Sequence, residues 1–256
     1  MKILAIGNSF SDDSMEYLYP VLEALGVENI SLGNLFIGGC SLQRHVDNIP
    51  NDTPDYEYRT NTKNVWETAL ESRITDGVCT QDWDVISMQQ ASHDSGMTET
   101  YKPLPALIEF VRKNVQKAVK LAWNMTWAYQ QDSTHFGFAN YANEQKVMYE
   151  GILNAVKTCV LPTQEFVLLF PVGTAVQNAR TSYLGDTLTR DGFHLSIPFG
   201  RYIAALTWGR VLTGKSVQGI AYAPEGVDED LKAIAIESVE NAINYPFEVT
   251  QSRFVK

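Results

Sequence analysis

Short apolar runs alternate with longer amphipathic stretches along the whole chain. Continuous apolar runs of this length are typical of strands that are buried on both faces, as in a parallel sheet covered by helices. We predict five such strands, which are Lys2–Ile6, Ile30–Ile37, Trp83–Met88, Ala118–Met125 and Phe166–Phe170. Polar or glycine-containing residues follow each run and suit a loop.

Helical periodicity fills much of the sequence between these strands. We predict four clear helices, which are Pro103–Gln116, Asn140–Cys159, Pro198–Leu212 and Asp228–Ala242. Gly214 follows the third of them and suits a C-terminal cap. The alternation of strands and helices predicts a three-layer α/β/α sandwich around a central, mostly parallel five-stranded sheet.

One polar stretch departs from this alternation. Residues 47–64 contain two prolines and several Asn and Asp residues, so we predict a long surface loop that serves as a lid or binding loop or is disordered. No linker rich in Pro, Gly or Ser divides the sequence. We therefore expect a single domain over residues 1–256.

The composition excludes several classes of partner. A net charge of −10 disfavours nucleic acid and anionic membranes, and no segment has the roughly 20 uninterrupted apolar residues of a membrane helix. The strand pattern starts at Lys2, too early to leave room for a signal peptide, so we expect a cytoplasmic protein, or a secreted or periplasmic one if a leader has been removed from this sequence. The three cysteines and four histidines lack metal-ligand spacing, and we expect no metal site.

A candidate nucleophile follows the first strand in the sequence Gly7-Asn8-Ser9-Phe10-Ser11. Ser9 would lie on a strand-to-helix turn, where free backbone N–H groups and the helix dipole can stabilise a developing anion. A lone serine in this place is more often the N-cap of the helix. Catalysis also requires a base within hydrogen-bond reach.

A candidate base lies near the other end of the chain, in Asp191-Gly192-Phe193-His194. An acid three residues before a histidine on a turn can accept the imidazole Nδ1–H and leave Nε2 free to take a proton. Without other context, such a pair is more often a solvated surface feature.

Together these segments resemble the first and last sequence blocks of the SGNH or GDSL hydrolases, which read Gly-Asp-Ser-Leu-Ser and Asp-x-x-His. Their order and separation are also similar to those of that family. The resemblance implies a flavodoxin-like α/β/α fold and a serine esterase that needs no cofactor. It implies Ser9 as the nucleophile, His194 as the base and Asp191 as the residue that orients the base.

The resemblance also implies an oxyanion hole built from three donors. These are the N–H of Ser9, a glycine N–H after the second strand, and an asparagine side chain after the third. We expect the glycine to be Gly39, with Gly38 as the alternative, although a glycine pair can also simply mark a tight turn. The chain has no asparagine after its third strand, and Gln90, or else Gln89, is the expected substitute.

Two further residues are candidates for substrate contact. His93 lies in the loop after the third strand, and Trp127 follows the fourth. We expect the substrate to be a small-molecule ester with a short acyl or acetyl group. Aromatic faces flanked by amides suit sugar rings, and in one form of this hypothesis a saccharide carries the acyl group. Core packing is the more common role of a tryptophan such as Trp127.

Two other functions remain open at this point. The missing asparagine would fit a catalytically silent, carbohydrate-binding relative of the same fold. Asp12 and Asp13 after the first strand would fit the acidic metal pocket of a phospho-acceptor receiver domain, but receivers are much shorter than this chain. Both acids also suit the N-terminal turn of a helix.

Overall fold

A computed structural model describes residues 1–255, which contain one seven-stranded sheet. The strands are β1 (Lys2–Gly7), β2 (Ser31–Phe36), β3 (Tyr56–Asn61), β4 (Trp66–Ser72), β5 (Val85–Met88), β6 (Lys120–Asn124) and β7 (Phe166–Phe170). Their order across the sheet is β4-β3-β2-β1-β5-β6-β7. Strands β2, β1, β5, β6 and β7 are parallel to their neighbours in this set. The five parallel strands predicted from apolar runs are therefore confirmed.

The count of five strands was wrong, because β3 and β4 form an antiparallel hairpin along the edge of β2. Strand β3 lies within residues 47–64, so that segment is not simply a surface loop. Most side chains of β4 are exposed and most of those of β3 are only half-buried. An edge hairpin with two solvated faces has no continuous apolar run, and the hydrophobic pattern could not indicate it.

Nine α-helices are present in residues 1–255. They are α1 (Ser9–Met15), α2 (Leu18–Ala24), α3 (Leu42–Asn48), α4 (Ile74–Val78), α5 (Leu104–Asn114), α6 (Gln145–Ala155), α7 (Val172–Arg180), α8 (Phe199–Thr213) and α9 (Glu229–Asn244). Helices α1, α2, α7 and α9 pack against α8, whereas α3 and α4 pack against α5. With right-handed crossovers, these two groups cover opposite faces of the sheet. The predicted α/β/α layering is thus confirmed.

The four predicted helices correspond to α5, α6, α8 and α9. Helix α6 begins at Gln145 rather than at 140, because Ala142 and Asn143 both adopt a left-handed backbone with φ of 56°. Helix α8 ends at Thr213, and Gly214 caps it with φ of 68° as predicted. The short helices α2, α3, α4 and α7 were not predicted, because one or two turns carry too little periodicity to be recognised.

The topology places the candidate residues at the carboxyl ends of the parallel strands. Ser9 follows β1, the glycine pair follows β2, Gln90 follows β5 and Trp127 follows β6. Because these four strands are parallel, their carboxyl ends meet on the same side, where open α/β sheets bind their ligands.

Candidate active site

Ser9 is the first residue of α1 and is not the cap of that helix. The cap is Asn8, whose Oδ1 accepts the N–H of Phe10 at 3.0 Å. Neither the N–H nor the hydroxyl of the half-buried Ser9 bonds to another group within residues 1–255. A free serine hydroxyl therefore stands at the carboxyl end of β1.

A chain of buried amides fixes the turn that carries Ser9. Asn8 donates through Nδ2 to the Cys40 carbonyl at 3.0 Å and accepts Gln89 Nε2 at 2.7 Å. Gln89 Oε1 accepts Asn124 Nδ2 at 2.8 Å, and Asn124 Oδ1 accepts Trp208 Nε1 at 3.1 Å. These bonds join the ends of β1, β5 and β6 to α8. Buried polar groups that all have hydrogen-bond partners form a rigid network, and this one holds the turn in one geometry.

The spacing of Asp191 and His194 produces the contact that was predicted. His194 Nδ1 lies 2.7 Å from Asp191 Oδ2, while Asp191 Oδ1 accepts the backbone N–H of His194 at 2.8 Å and of Phe193 at 3.2 Å. Partial burial raises the pKa of Asp191, but the hydrogen bonds from His194 and Phe193 outweigh it and lower the pKa overall. Asp191 is therefore a carboxylate near neutral pH and accepts the Nδ1–H of His194.

Aromatic packing joins the segment that carries Ser9 to the segment that carries His194. The ring centroid of Phe10, the residue after Ser9, lies 5.9 Å from that of His194. Phe10 also stacks on Trp127 at 4.1 Å, and Trp127 Nε1 donates to the Phe193 carbonyl at 2.7 Å. The turn with Ser9 and the turn with His194 thus share one set of neighbours.

A buried carboxylate ties the same two segments together. Asp13 of α1 is fully buried and accepts Arg190 Nη1 at 2.9 Å, Arg201 Nε at 2.8 Å and the Leu195 N–H at 2.8 Å. Sequence reasoning missed this role. The available signal was that Asp13 shares a helix face with Phe10, because a carboxylate on a buried face requires a paired cation.

The glycine pair after β2 forms an exposed turn in which Cys40 N donates to the Ile37 carbonyl at 3.1 Å. Gly39 has φ of +62°, a left-handed conformation that favours glycine, whereas Gly38 does not. The N–H of Gly39 donates to no group within residues 1–255. It is therefore available to a ligand at the same sheet edge as Ser9.

A family model described as "Domain of unknown function (DUF4886)" matches residues 2–242. The chain belongs to the DUF4886 family. It is 43% identical to a DUF4886 protein from Bacteroides uniformis ATCC 8492, whose crystal structure superposes with a TM-score of 0.96 over 100% of this chain and 99% of that one. A comparison with curated proteins finds no match.

More distant solved structures place the DUF4886 chain among the SGNH and GDSL hydrolase folds. A candidate SGNH hydrolase from Slackia heliotrinireducens is 20% identical, with a TM-score of 0.57 over 83% of this chain and 98% of that one. An acetylxylan esterase from Geobacillus stearothermophilus, solved as a catalytic mutant, is 15% identical, with a TM-score of 0.54 over 82% of this chain and 93% of that one. At these identities the likeness shows the fold.

Gln90 of this DUF4886 protein does not offer the donor that was expected of it. Its Oε1 accepts the N–H of Leu42 at 2.9 Å and of Ala91 at 2.8 Å, while Nε2 donates to the carbonyl and the hydroxyl of Thr100, each at 3.0 Å. The side chain is buried and both amide protons are used. Gln90 therefore joins the end of β5 to α3, and its assignment to the oxyanion hole was wrong. The alternative, Gln89, is buried in the amide network.

Trp127 was also misassigned as a substrate contact. Its side chain is fully buried between Phe10 and the Phe193 carbonyl, so the core alternative is correct. His93 is 24% exposed at its side chain and remains a candidate for substrate contact. Two neighbours of His93 were missed, His135 and Phe136, because a polar loop at 130–136 gives no periodic signal.

The two acids after β1 do not form an open metal pocket. Asp13 is held by Arg190 and Arg201, and Asp12 is paired with Arg59 of β3. Within residues 1–255, no three His, Cys, Asp or Glu side chains cluster so that they could hold a metal ion. This arrangement gives the receiver hypothesis no support.

No helix within the described part of the DUF4886 chain has the length and apolar character needed to cross a membrane.

Proposed function

We propose that the protein is a serine hydrolase that cleaves a short acyl or acetyl ester. The observation that carries the proposal is the 2.7 Å contact between His194 Nδ1 and Asp191, on a segment that packs against the residue following Ser9. A nucleophilic triad consists of a carboxylate that orients an imidazole and of a serine whose proton the imidazole takes, and these three groups are Asp191, His194 and Ser9. The fold shared with SGNH hydrolases agrees with this assignment.

Acylation uses each of these groups in a defined role. Because Asp191 accepts the Nδ1–H, the lone pair of His194 is on Nε2, which takes the Ser9 proton as Oγ bonds to the acyl carbon. The carbonyl electron pair moves to oxygen, and the resulting oxyanion accepts hydrogen bonds from the N–H groups of Ser9 and Gly39. Nε2 then gives its proton to the leaving alcohol as the ester C–O bond breaks, which leaves an acyl group on Ser9.

Deacylation repeats the sequence with water. His194 Nε2 takes a proton from water, whose oxygen attacks the acyl carbon. The second oxyanion collapses, the bond to Ser9 Oγ breaks, and the serine regains its proton from His194. The products are one carboxylic acid and one alcohol, so atoms and charge balance with the ester and water alone.

The engaged amide of Gln90 leaves two backbone donors for the oxyanion. Loss of one such donor typically costs about 10²–10³ in rate. We therefore expect slower acylation than in a relative that has a third, side-chain donor. The same observation favours the second candidate function, a catalytically silent protein that binds a saccharide and keeps the fold.

Hydrolysis of p-nitrophenyl acetate by wild-type protein, Ser9→Ala, His194→Ala and the double variant separates these candidates. Because the two residues act as one unit, each single variant should lose about 10³-fold or more in kcat, and the double variant should lose no more than either. A serine-directed phosphonate should label wild-type protein on Ser9. Equal rates for wild-type protein and Ser9→Ala, with no labelling of Ser9, would contradict the esterase and leave the silent binding protein.

A further inference from the structure

A row of rings extends from His194 to the protein surface. Phe193 lies 4.1 Å from His194, His135 lies 4.6 Å from Phe193, and Phe136 lies 4.6 Å from His135, all between ring centroids. His93 closes the group at 5.5 Å from Phe136. We call His93, His135, Phe136 and Phe193 the aromatic rim.

Phe136 is the outermost member of the rim and is 77% exposed. A single exposed phenylalanine is ordinary. This one stacks on an imidazole at an interplanar angle of 26°, in a row of rings that ends at the proposed catalytic base. Its exposed side chain is therefore available to a flat apolar surface, at the third ring along the row from the proposed base.

Backbone contacts hold the rim in place without a ligand. The Gly137 N–H donates to His135 Nδ1 at 3.0 Å, and the Tyr141 hydroxyl donates to the His93 carbonyl at 3.0 Å. A Cβ at Gly137 would lie within 2.2 Å of the His93 Cβ, so only glycine permits this close approach. A site held in this way loses little entropy when it binds a ligand.

The rim combines an apolar face with a neutral hydrogen-bond donor. Because His135 Nδ1 accepts the Gly137 N–H, its ring proton is on Nε2. Burial, and then the neighbouring His93 and His194, lower the pKa of His135, so the ring is uncharged at neutral pH. The carboxylates nearby are Asp94 and Asp191, while Arg190 is held by Asp13. This environment disfavours an anionic ligand.

We propose that the aromatic rim is the binding site for the alcohol part of the ester and that it takes an uncharged pyranose ring. A pyranose presents an apolar C–H face, which stacks on Phe136, and hydroxyl groups, which bond to the Nε2–H of His135. The assignment rests on the proposed function, because the row of rings leads to His194, the proposed base. It makes Phe136 and His135 determinants of specificity.

The test compares acetate release from three esters that differ in the alcohol: ethyl acetate, phenyl acetate and methyl tri-O-acetyl-β-xylopyranoside. Phe136→Ala should lose about tenfold in kcat/KM for the acetylated xyloside, mostly through KM, and less than twofold for ethyl acetate. Leu70→Ala is the matched control, because Leu70 is a 69% exposed apolar side chain on β4, at the far edge of the sheet. It should behave as wild-type protein with all three esters.

Three results would overturn the pyranose site and leave the esterase standing. They are wild-type rates of Phe136→Ala on every ester, an equal loss on ethyl acetate and the xyloside, and a loss confined to phenyl acetate.

If wild-type protein cleaves no ester, the proposed function fails, and the rim is then tested by binding. Methyl β-xylopyranoside should shift the His135 ring signals in NMR spectra of wild-type protein but not of Phe136→Ala. The absence of that shift would remove the site as well.

Discussion

Gly38 and Gly39 are adjacent, both exposed and free of neighbours within 4 Å of an added Cβ, but only Gly39 has a left-handed backbone. An alanine at position 39 strains the turn by about 1–2 kcal/mol. We expect this strain to turn the N–H away from the oxyanion and to lower kcat by about tenfold, with the protein still folded.

Gly38→Ala is the matched control for this prediction. It adds the same methyl group one residue earlier, where no strain arises, so its kcat should stay within about twofold of wild type, which is below 1 kcal/mol. Steady-state kinetics with ethyl acetate and a thermal melt of each variant provide the comparison. Equal effects of the two substitutions on kcat would contradict the role of Gly39 as the donor.

Single residues show where sequence reasoning succeeds and where it stops. The Asp191–His194 contact could be predicted because three residues of one turn fix its geometry. The roles of Gln90 and Trp127 could not be predicted, because the residue type alone does not show whether an amide or an indole faces a ligand or the core. What decides these roles is the position of distant partners such as Thr100 and Phe10.

At the scale of elements, Asp13 joins helix α1 to the segment that carries Asp191 and His194. Asp13→Asn keeps the shape of the side chain but removes its charge. Loss of one partner from a buried ion pair costs about 3–5 kcal/mol of unfolding free energy, which urea denaturation measures. If the bond also positions His194, kcat measured on folded protein should fall by up to about 10²-fold, with KM near the wild-type value.

Asp12→Asn is the control for that helix. Asp12 is the neighbouring acid and is partly exposed in its pair with Arg59, so its loss should cost less than about 1 kcal/mol and leave kcat unchanged. The split between kcat and KM distinguishes positioning from stability alone. An Asp13→Asn protein that is less stable but turns over at the wild-type rate when folded would show that Asp13 acts only in folding.

Elements differ in how well their patterns predict them. Strands β1, β2, β5, β6 and β7 were recognised because strands of a covered parallel sheet read as continuous apolar runs. The β3–β4 hairpin lies at an edge, where exposed positions such as Leu70 and polar positions such as Glu67 follow no clear alternation. Its stability comes from pairing with β2, which is a tertiary contact that local sequence does not encode.

For the whole molecule, the layer order followed from the alternation of strands and helices, and the sheet edge that carries the site followed from the layer order. That residues 9 and 194 meet was expected only through the resemblance to a family. The structure shows contact between the segments that carry them, through Phe10, Trp127 and Asp13. A sequence motif indicated which segments meet, and buried partners at long sequence separation hold them together.

A buried histidine should make the stability of the whole molecule depend on pH. His45 lies on α3, fully buried, with Nδ1 3.0 Å from the Tyr56 hydroxyl and with Nε2 unbonded within residues 1–255. Burial, and then Arg44, lower the pKa of His45 to about 3. Its ordinary pKa is about 6.5, so below that pH the unfolded chain binds a proton that the folded chain excludes. Stability is therefore fully present above about pH 6.5 and falls as the pH drops toward the lowered value.

Urea denaturation of wild-type protein and His45→Gln between pH 8 and pH 4 tests this dependence. The unfolding free energy of wild-type protein minus that of the variant should be constant above about pH 7 and should then fall with a slope that approaches about 1.4 kcal/mol per pH unit. Taking the difference cancels the titration of the other groups, including Asp191, whose lowered pKa acts only at more acidic pH. A difference that stays constant down to pH 4 would mean that His45 is protonated in the folded chain, and so that water reaches its Nε2.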